Sequence, residues 1–293
     1  MAVSGLNQYI TEGAIEGFVT TLAPLTAFGY AVKVGVSGLN DVVRVPFVQN
    51  TSASYAFDYT NGYANNGNNV VAKSITLDNL MYQRITLTDT DLMALNQEAL
   101  TRIGHQAGMR LANDVISASL ATVLTVANFP QSSSVSADFS SSAGLAAIDK
   151  KANDLKWPRG ERSLIADSTL WQQLMLNTTI FNASYFGTDL PVKAGRIEEV
   201  IGFYPYMVGL TLPLSAHGIA TNPNGILFAN GYHQPQDYDG AYTAVDQMTD
   251  AGGTGLTLGF RQWYDPLRAS NVRVLDCLTG VGVGDPNGIF LIK

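Results

Sequence analysis

The stretch YQRITLTDTDLMALNQEALTRIGHQAGMRLANDVISASLATVLT, residues 82–125, decides the fold. Its first seven residues, YQRITLT, read as a strand. Thr88 and Asp91 then form the S/T-x-x-D/E signal that starts a helix. From about Asp91 to Thr125 the chain is rich in Ala, Leu, Met, Gln and Glu, and no proline intervenes before Pro130. A continuous helix of that length would reach on the order of 54 Å, far beyond the usual three turns. Glu98, Arg102, His105, Gln106, Arg110, Asn113 and Ser117 make one polar stripe, with Leu100, Ile103, Ala107 and Leu111 roughly opposite. Met109, Ile116 and Leu120 fall beside the polar stripe. The pattern therefore predicts a spar covered on two sides, with one side on its own sheet and these three residues in contact with another subunit. Gly104 and Gly108 are the expected places for a bend, each costing about 1 kcal/mol relative to alanine.

Upstream, VVRVPFV at residues 42–48 places Val43, Val45 and Phe47 on one face, and Pro46 removes a ladder donor, as on an edge strand. Residues 50–78 read as a long hairpin: Tyr55, Phe57 and Tyr59 alternate on one arm, Val71, Lys73, Ile75 and Leu77 on the other, and NGYANNGNN supplies the turn. Two strands alone are marginal in water, so Tyr55, Phe57 and Tyr59 need cover, either from the hairpin folding back on its own domain or from a neighbouring subunit, and the expectation is the neighbouring subunit. The first thirty residues mix a weak amphipathic pattern with four glycines and Pro24, and predict an arm carrying a short helix.

Downstream, the serine-rich QSSSVSADFSSSAG, residues 131–144, marks a subdomain boundary. Leu145, Ile148, Ala152 and Leu155 follow helical spacing, RSLIA (162–166) reads as a buried strand, and Asp167 or Ser168 can cap the short helix after it. Short strands are expected around Ile201–Met207 and Ile226–Ala229. Longer ones return from Leu256, and the chain closes on GIFLIK.

Only 14% of the residues are charged, against roughly a quarter in an average soluble protein, while the apolar share is 46%. That balance suggests a surface partly covered by partners. The net charge of −7 comes with scattered basic residues, which excludes the electrostatic footprint of a nucleic-acid grip. The single Cys277 makes no intramolecular disulfide, and MAVSGLNQYITEG lacks the regions of a signal peptide, so folding in a reducing cytoplasm is expected. No apolar run approaches the ~20 residues of a membrane span.

No motif asks for catalysis. His105, His217 and His233 are few and scattered, and Asp237, Asp239 and Gly240 resemble part of a calcium loop without its closing glutamate. The glycines of GVGVGDPNG miss the dinucleotide spacing, and no G-x-S-x-G is present. Cys277 sits in a strand pattern with no basic neighbour to activate it. No catalytic residue, cofactor site or metal site is predicted, and no hydrolase, transferase or redox activity is expected.

An arm, a long hairpin, a strand entering a long helix, a mixed α/β region and a final return to strands together resemble the major capsid proteins of tailed phages, the Hong Kong 97 fold. The passages GLNDVVRVPFV (38–48), AKSITLDNLMYQRITLTDTDL (72–92), RSLIADSTLWQQLM (162–175), GRIEEVIGFYPYMVGLTLP (195–213) and VGVGDPNGIFLIK (281–293) are similar to the family in that order. The resemblance implies an α+β fold divided into an N-terminal arm (1–35), the E-loop hairpin and spine helix of a P domain (36–130), an A domain (131–253) and return strands of the P domain (254–293). It implies hexamers and pentamers closing an icosahedral head around double-stranded DNA, in a virion assembled in the host cytoplasm. It also leaves room for separate scaffolding, portal and decoration proteins. Lys73 is the only lysine in the hairpin, and no motif for a covalent lysine–asparagine linkage accompanies it. An encapsulin-like nanocompartment shares this fold and encloses cargo enzymes, with a cargo groove formed by the N-terminal helix as its mark. A secreted β-rich enzyme or adhesin is the alternative from another class.

Overall fold

The computed structural model describes residues 3–36, 38–48, 59–60, 70–125, 134–135, 138–177, 199–234, 240–249 and 256–293. In chain order the elements are α1 (Val3–Phe28), β1 (Gly29–Val36), β2 (Val42–Val48), β3 (Val70–Thr76), β4 (Asn79–Thr88), α2 (Asp89–Ala94), α3 (Gln97–Val123), β5 (Ser134–Val135) and α4 (Ser142–Asp154). They continue with β6 (Arg162–Ala166), α5 (Ser168–Leu176), β7 (Phe203–Met207), β8 (Gly218–Thr221), β9 (Ile226–Tyr232), β10 (Ala244–Thr249), β11 (Thr257–Asp265), β12 (Ser270–Val283) and β13 (Ile289–Ile292).

The strand-to-helix junction forms as an alternating strand and a capping box require. Along β4, Ile85 and Leu87 are buried while Arg84, Thr86 and Thr88 are exposed. At its end the Asp91 amide donates to Thr88 Oγ1 at 3.1 Å and the Thr88 amide to Asp91 Oδ2 at 3.0 Å. The Thr88 hydroxyl, donating to Asp91 Oδ2 at 2.6 Å, and after it the Thr88 amide hold the Asp91 carboxyl below its ordinary range. The box starts only the short α2, however. Leu95 leaves the helix at φ −85°, ψ 135°, and Asn96 caps α3 by accepting from the Ala99 amide at 2.9 Å. The single helix predicted from Asp91 is thus two, because the Asn96 side chain takes over an amide that a continuing helix would bond to its own backbone.

Gly104 and Gly108 do not interrupt the helix; α3 continues unbroken through both. They are the sites where α1 lies against it. The segment predicted as an arm with a short helix, within residues 1–35, is a 26-residue helix whose Ile10, Ala14, Phe18, Leu22 and Leu25 are fully buried. A Cβ on Gly104 would meet the Ile10 carbonyl oxygen, and one on Gly108 that of Ala14. One on Gly13 or Gly17 would meet the carbonyl oxygens of Thr101 or His105, all four inside 3.0 Å. Two glycines per helix, four residues apart, therefore let the two backbones touch along one line.

These helices cover one face of a six-stranded sheet ordered β1-β9-β12-β11-β10, with β4 on β12. β12 is its axis: it pairs antiparallel with β11, with β9 and along ten residues with β4. A second sheet runs β5-β13-β8-β6-β7. Here the expected blocks give way. β13 was predicted with the return strands of the first sheet and instead sits between β8 and β5, while β9 and β10 from the middle of the chain join the first sheet. β13 is buried on both faces: Ile289 and Leu291 enter the large core with Leu100 and Leu111, and Phe290 and Ile292 enter the core beneath α4 and α5. An apolar run of four without alternation carries no signal of which sheet it joins.

The second sheet is tied to α4 by a buried charge. Arg162, 1% exposed at the head of β6, donates to Asp149 Oδ1 (2.9 Å), Asn153 Oδ1 (2.7 Å) and the carbonyl oxygens of Trp157 (2.6 Å) and Pro158 (3.3 Å). Its guanidinium also lies over the Phe203 ring. Asp167 caps α5, accepting from the Leu170 amide at 2.7 Å, and its other oxygen lies 3.0 Å from His217 Nδ1.

Candidate functional site

The hairpin is a two-stranded ribbon of β2 and β3, paired from Val42↔Thr76 to Val48↔Val70. The strand paired with residues 70–76 is therefore the proline-bearing one, where Tyr55, Phe57 and Tyr59 were the expected partners. Val45, Ile75 and Leu77 pack on Leu227, Ala229 and Leu278 of the first sheet. The Lys73 amine donates to the carbonyl oxygens of Val283 and Gly284 at 2.7 and 2.8 Å. Of the residues expected to meet a neighbour here, Tyr59 is 95% exposed, whereas Tyr55 and Phe57 lie outside the described residues.

The face of the first sheet turned away from α1 and α3 carries interleaved aromatic and charged side chains. The Arg84 guanidinium lies 5.9 Å from the Trp263 ring centroid, and Tyr242 meets Trp263 edge-on at 6.0 Å. Tyr82 is exposed beside them. Arg261 pairs with Asp276, whose carboxyl is pushed up foremost by burial and pulled back by that arginine. At one end of this sheet, where the Asp89 amide donates to the Ala269 carbonyl, Met93 and Leu267 are 88% and 95% exposed.

On α3 the predicted contact residues separate. Met109 is 38% exposed, but Ile116 and Leu120 are each 1% exposed and belong to the subunit's own core. The correction has a simple cause. Gly104 and Gly108 begin a row at spacing four that continues through Ala112 to Ile116 and Leu120, and α1 creates a second buried side that a single-helix projection does not contain. Ile116→Asp is accordingly expected to abolish folding, at a cost above about 4 kcal/mol, because it buries an unpaired charge. Met109→Asp should change stability by no more than about 0.5 kcal/mol. Thermal melts by circular dichroism separate the two outcomes.

Chemistry-bearing residues stay dispersed. His105 lies on the side of α3 that faces α1, His217 is beside Asp167, and His233 follows β9. The Asp237–Asp239 segment is outside the described residues. Among the described residues no group of three His, Cys, Asp or Glu side chains could hold a metal ion, and no helix is long and apolar enough to cross a membrane. Cys277 is buried, and burial first, then the Asp276 charge, drives its thiol far above the ordinary range. It should react with a thiol reagent only after denaturant unfolds the chain; labelling at the native rate of a free thiol would contradict this.

No family model and no curated protein matches the sequence. Solved structures do. A virus-like particle from Pyrococcus furiosus aligns at 11% identity over 98% of both chains, with a TM-score of 0.55. The capsid of cyanophage P-SCSP1u aligns at 15% identity over 90% of this chain and 86% of its own, and a structure from Mycobacterium phage Che8 at 17% over 87% and 84%, each with a TM-score of 0.53. The chain has the fold of tailed-phage capsid proteins. Tyr59, Tyr82, Met93 and Leu267 remain exposed on this fold.

Proposed function

We propose that the chain is a major capsid protein, a structural subunit that closes into an icosahedral shell of hexamers and pentamers around double-stranded DNA. The observation that carries this reading is the capsid fold spanning about nine-tenths of the chain. In this reading β2 and β3 root the E-loop, α3 is the spine of the P domain, and the second sheet with α4 and α5 is the A domain. Tyr55, Phe57, Tyr59 and Met109 are the intersubunit contacts. Sparse charge suits a surface covered by copies of itself, and a net charge of −7 without basic clusters gives packaged DNA a wall that does not bind it. Contacts that differ on the two partners close rings when the rotation closes, and rings joined by hairpins close a shell. Scaffolding, portal and decoration proteins would act with it in the host, and no enzymatic step is required of the chain.

Sedimentation velocity of purified, nuclease-treated protein tests this. Megadalton particles are expected, and a species of 31.3 kDa at all concentrations would refute it.

One observation favours a second reading, a shell around protein cargo. The N-terminal segment is a full helix laid on α3, and the Pyrococcus furiosus particle aligns over nearly all of both chains. Particle contents decide: nuclease-protected DNA supports the phage head, co-purifying protein the compartment.

A further inference from the structure

We propose that Lys73 is a positioning residue for shell assembly, fixing the angle at which the hairpin leaves the subunit; this rests on the capsid reading. Among the described residues the β2–β3 ribbon has no third hydrogen-bonded strand, so ladder pairing with the body of the subunit does not set its direction. Besides the chain's own passage through Leu77 and Asp78 into β4, the described residues show three attachments. The apolar contacts of Val45, Ile75 and Leu77 with Leu227, Ala229 and Leu278 are non-directional. The Thr76 carbonyl crosses β12 at Gly280, where a Cβ would collide with it, and that fixes the height of one point.

The Lys73 ammonium supplies the direction. It lies on the same ribbon face, opposite Val45, and bonds two successive carbonyl oxygens at the end of β12, Val283 and Gly284. Gly284 is itself held, its amide donating to the Gly225 carbonyl at 3.0 Å and leaving no room for a Cβ beside Asn224. A charged donor therefore grips a fixed point of the subunit, several residues from the Gly280 crossing. Two separated fixed points define a line, and the ribbon follows it. The leverage is large: seven residues of strand extend about 23 Å, so a tilt of roughly 10° moves the far end by about 4 Å, more than an interface of packed side chains tolerates.

The test uses the full chain with Lys73→Met, which keeps the stem and removes the donor, and Lys73→Arg, which keeps a donor. Hydrogen exchange, thermal unfolding and particle diameters by electron microscopy are read for each. In Lys73→Met, peptides from residues 42–48 and 70–76 should exchange about tenfold faster while α3 and β12 exchange as before. Shells should fail to close or spread in diameter, and Lys73→Arg should recover protection and diameter in part. Unchanged exchange in both strands overturns the proposal, as do loosened strands with shells of the original diameter. Faster exchange throughout the chain also overturns it, since Lys73 would then serve stability and not position. If the unaltered protein forms no shells, the capsid reading fails, and exchange at β2 and β3 still decides whether the clamp exists.

Discussion

Alanine at Gly104 or Gly108 is expected to destabilise the subunit by about 1 to 3 kcal/mol per site, although alanine favours an isolated helix by about 1 kcal/mol. The sign reverses because the new methyl would enter the space of a backbone carbonyl oxygen of α1, Ile10 for the first and Ala14 for the second. A flexible side chain could swing aside, but a helix backbone cannot, so the helices must separate. Separation loosens Phe18, Leu22 and Leu25, which α1 buries completely. Chemical denaturation of the single and double variants measures this. A rise in stability at either site would show that α1 does not lie on α3 as described.

Asp149→Ala should be the more damaging change, at about 3 to 5 kcal/mol, because it leaves the buried Arg162 guanidinium facing neutral acceptors only. Asp149 is 19% exposed and also lies 3.6 Å from Arg159, whose exposed side chain offers little in exchange for the lost pair. The double variant Asp149→Leu with Arg162→Met removes both charges and should recover most of the loss. Urea titration distinguishes a costly half-pair from an inert one. A loss below about 1 kcal/mol for Asp149→Ala would mean that the backbone carbonyls alone satisfy Arg162.

Local chemistry was the legible part of this fold. The Thr88–Asp91 capping box, the Asp167 cap, the wholly buried RSLIA strand and the alternation of β4 all express themselves within a few residues. What was hidden depends on partners distant in sequence. Gly13 and Gly17 read as helix breakers until α3 is placed beside them, and Gly104 and Gly108 read as bends for the same reason. Ile116 and Leu120 looked like interface residues because one helix projected alone has one covered side, and α1 supplies another. The β2–β3 register was missed because period-two patterning also fitted Tyr55, Phe57 and Tyr59. A signal for the Lys73 clamp existed in the lone lysine on an otherwise apolar strand face, although its acceptors at Val283 and Gly284 could not be read from sequence.

The central claim is that copies of this subunit build a closed shell through the hairpin and the exposed sheet face. A cryo-EM reconstruction of particles from the purified protein tests it most directly. The expected result is an icosahedral lattice in which Tyr59 and the segment around it lie against a neighbouring subunit, over a sheet face that includes Tyr82 and Trp263. Particles absent at every concentration, or a hairpin whose Tyr55, Phe57 and Tyr59 pack inside their own subunit, would contradict it.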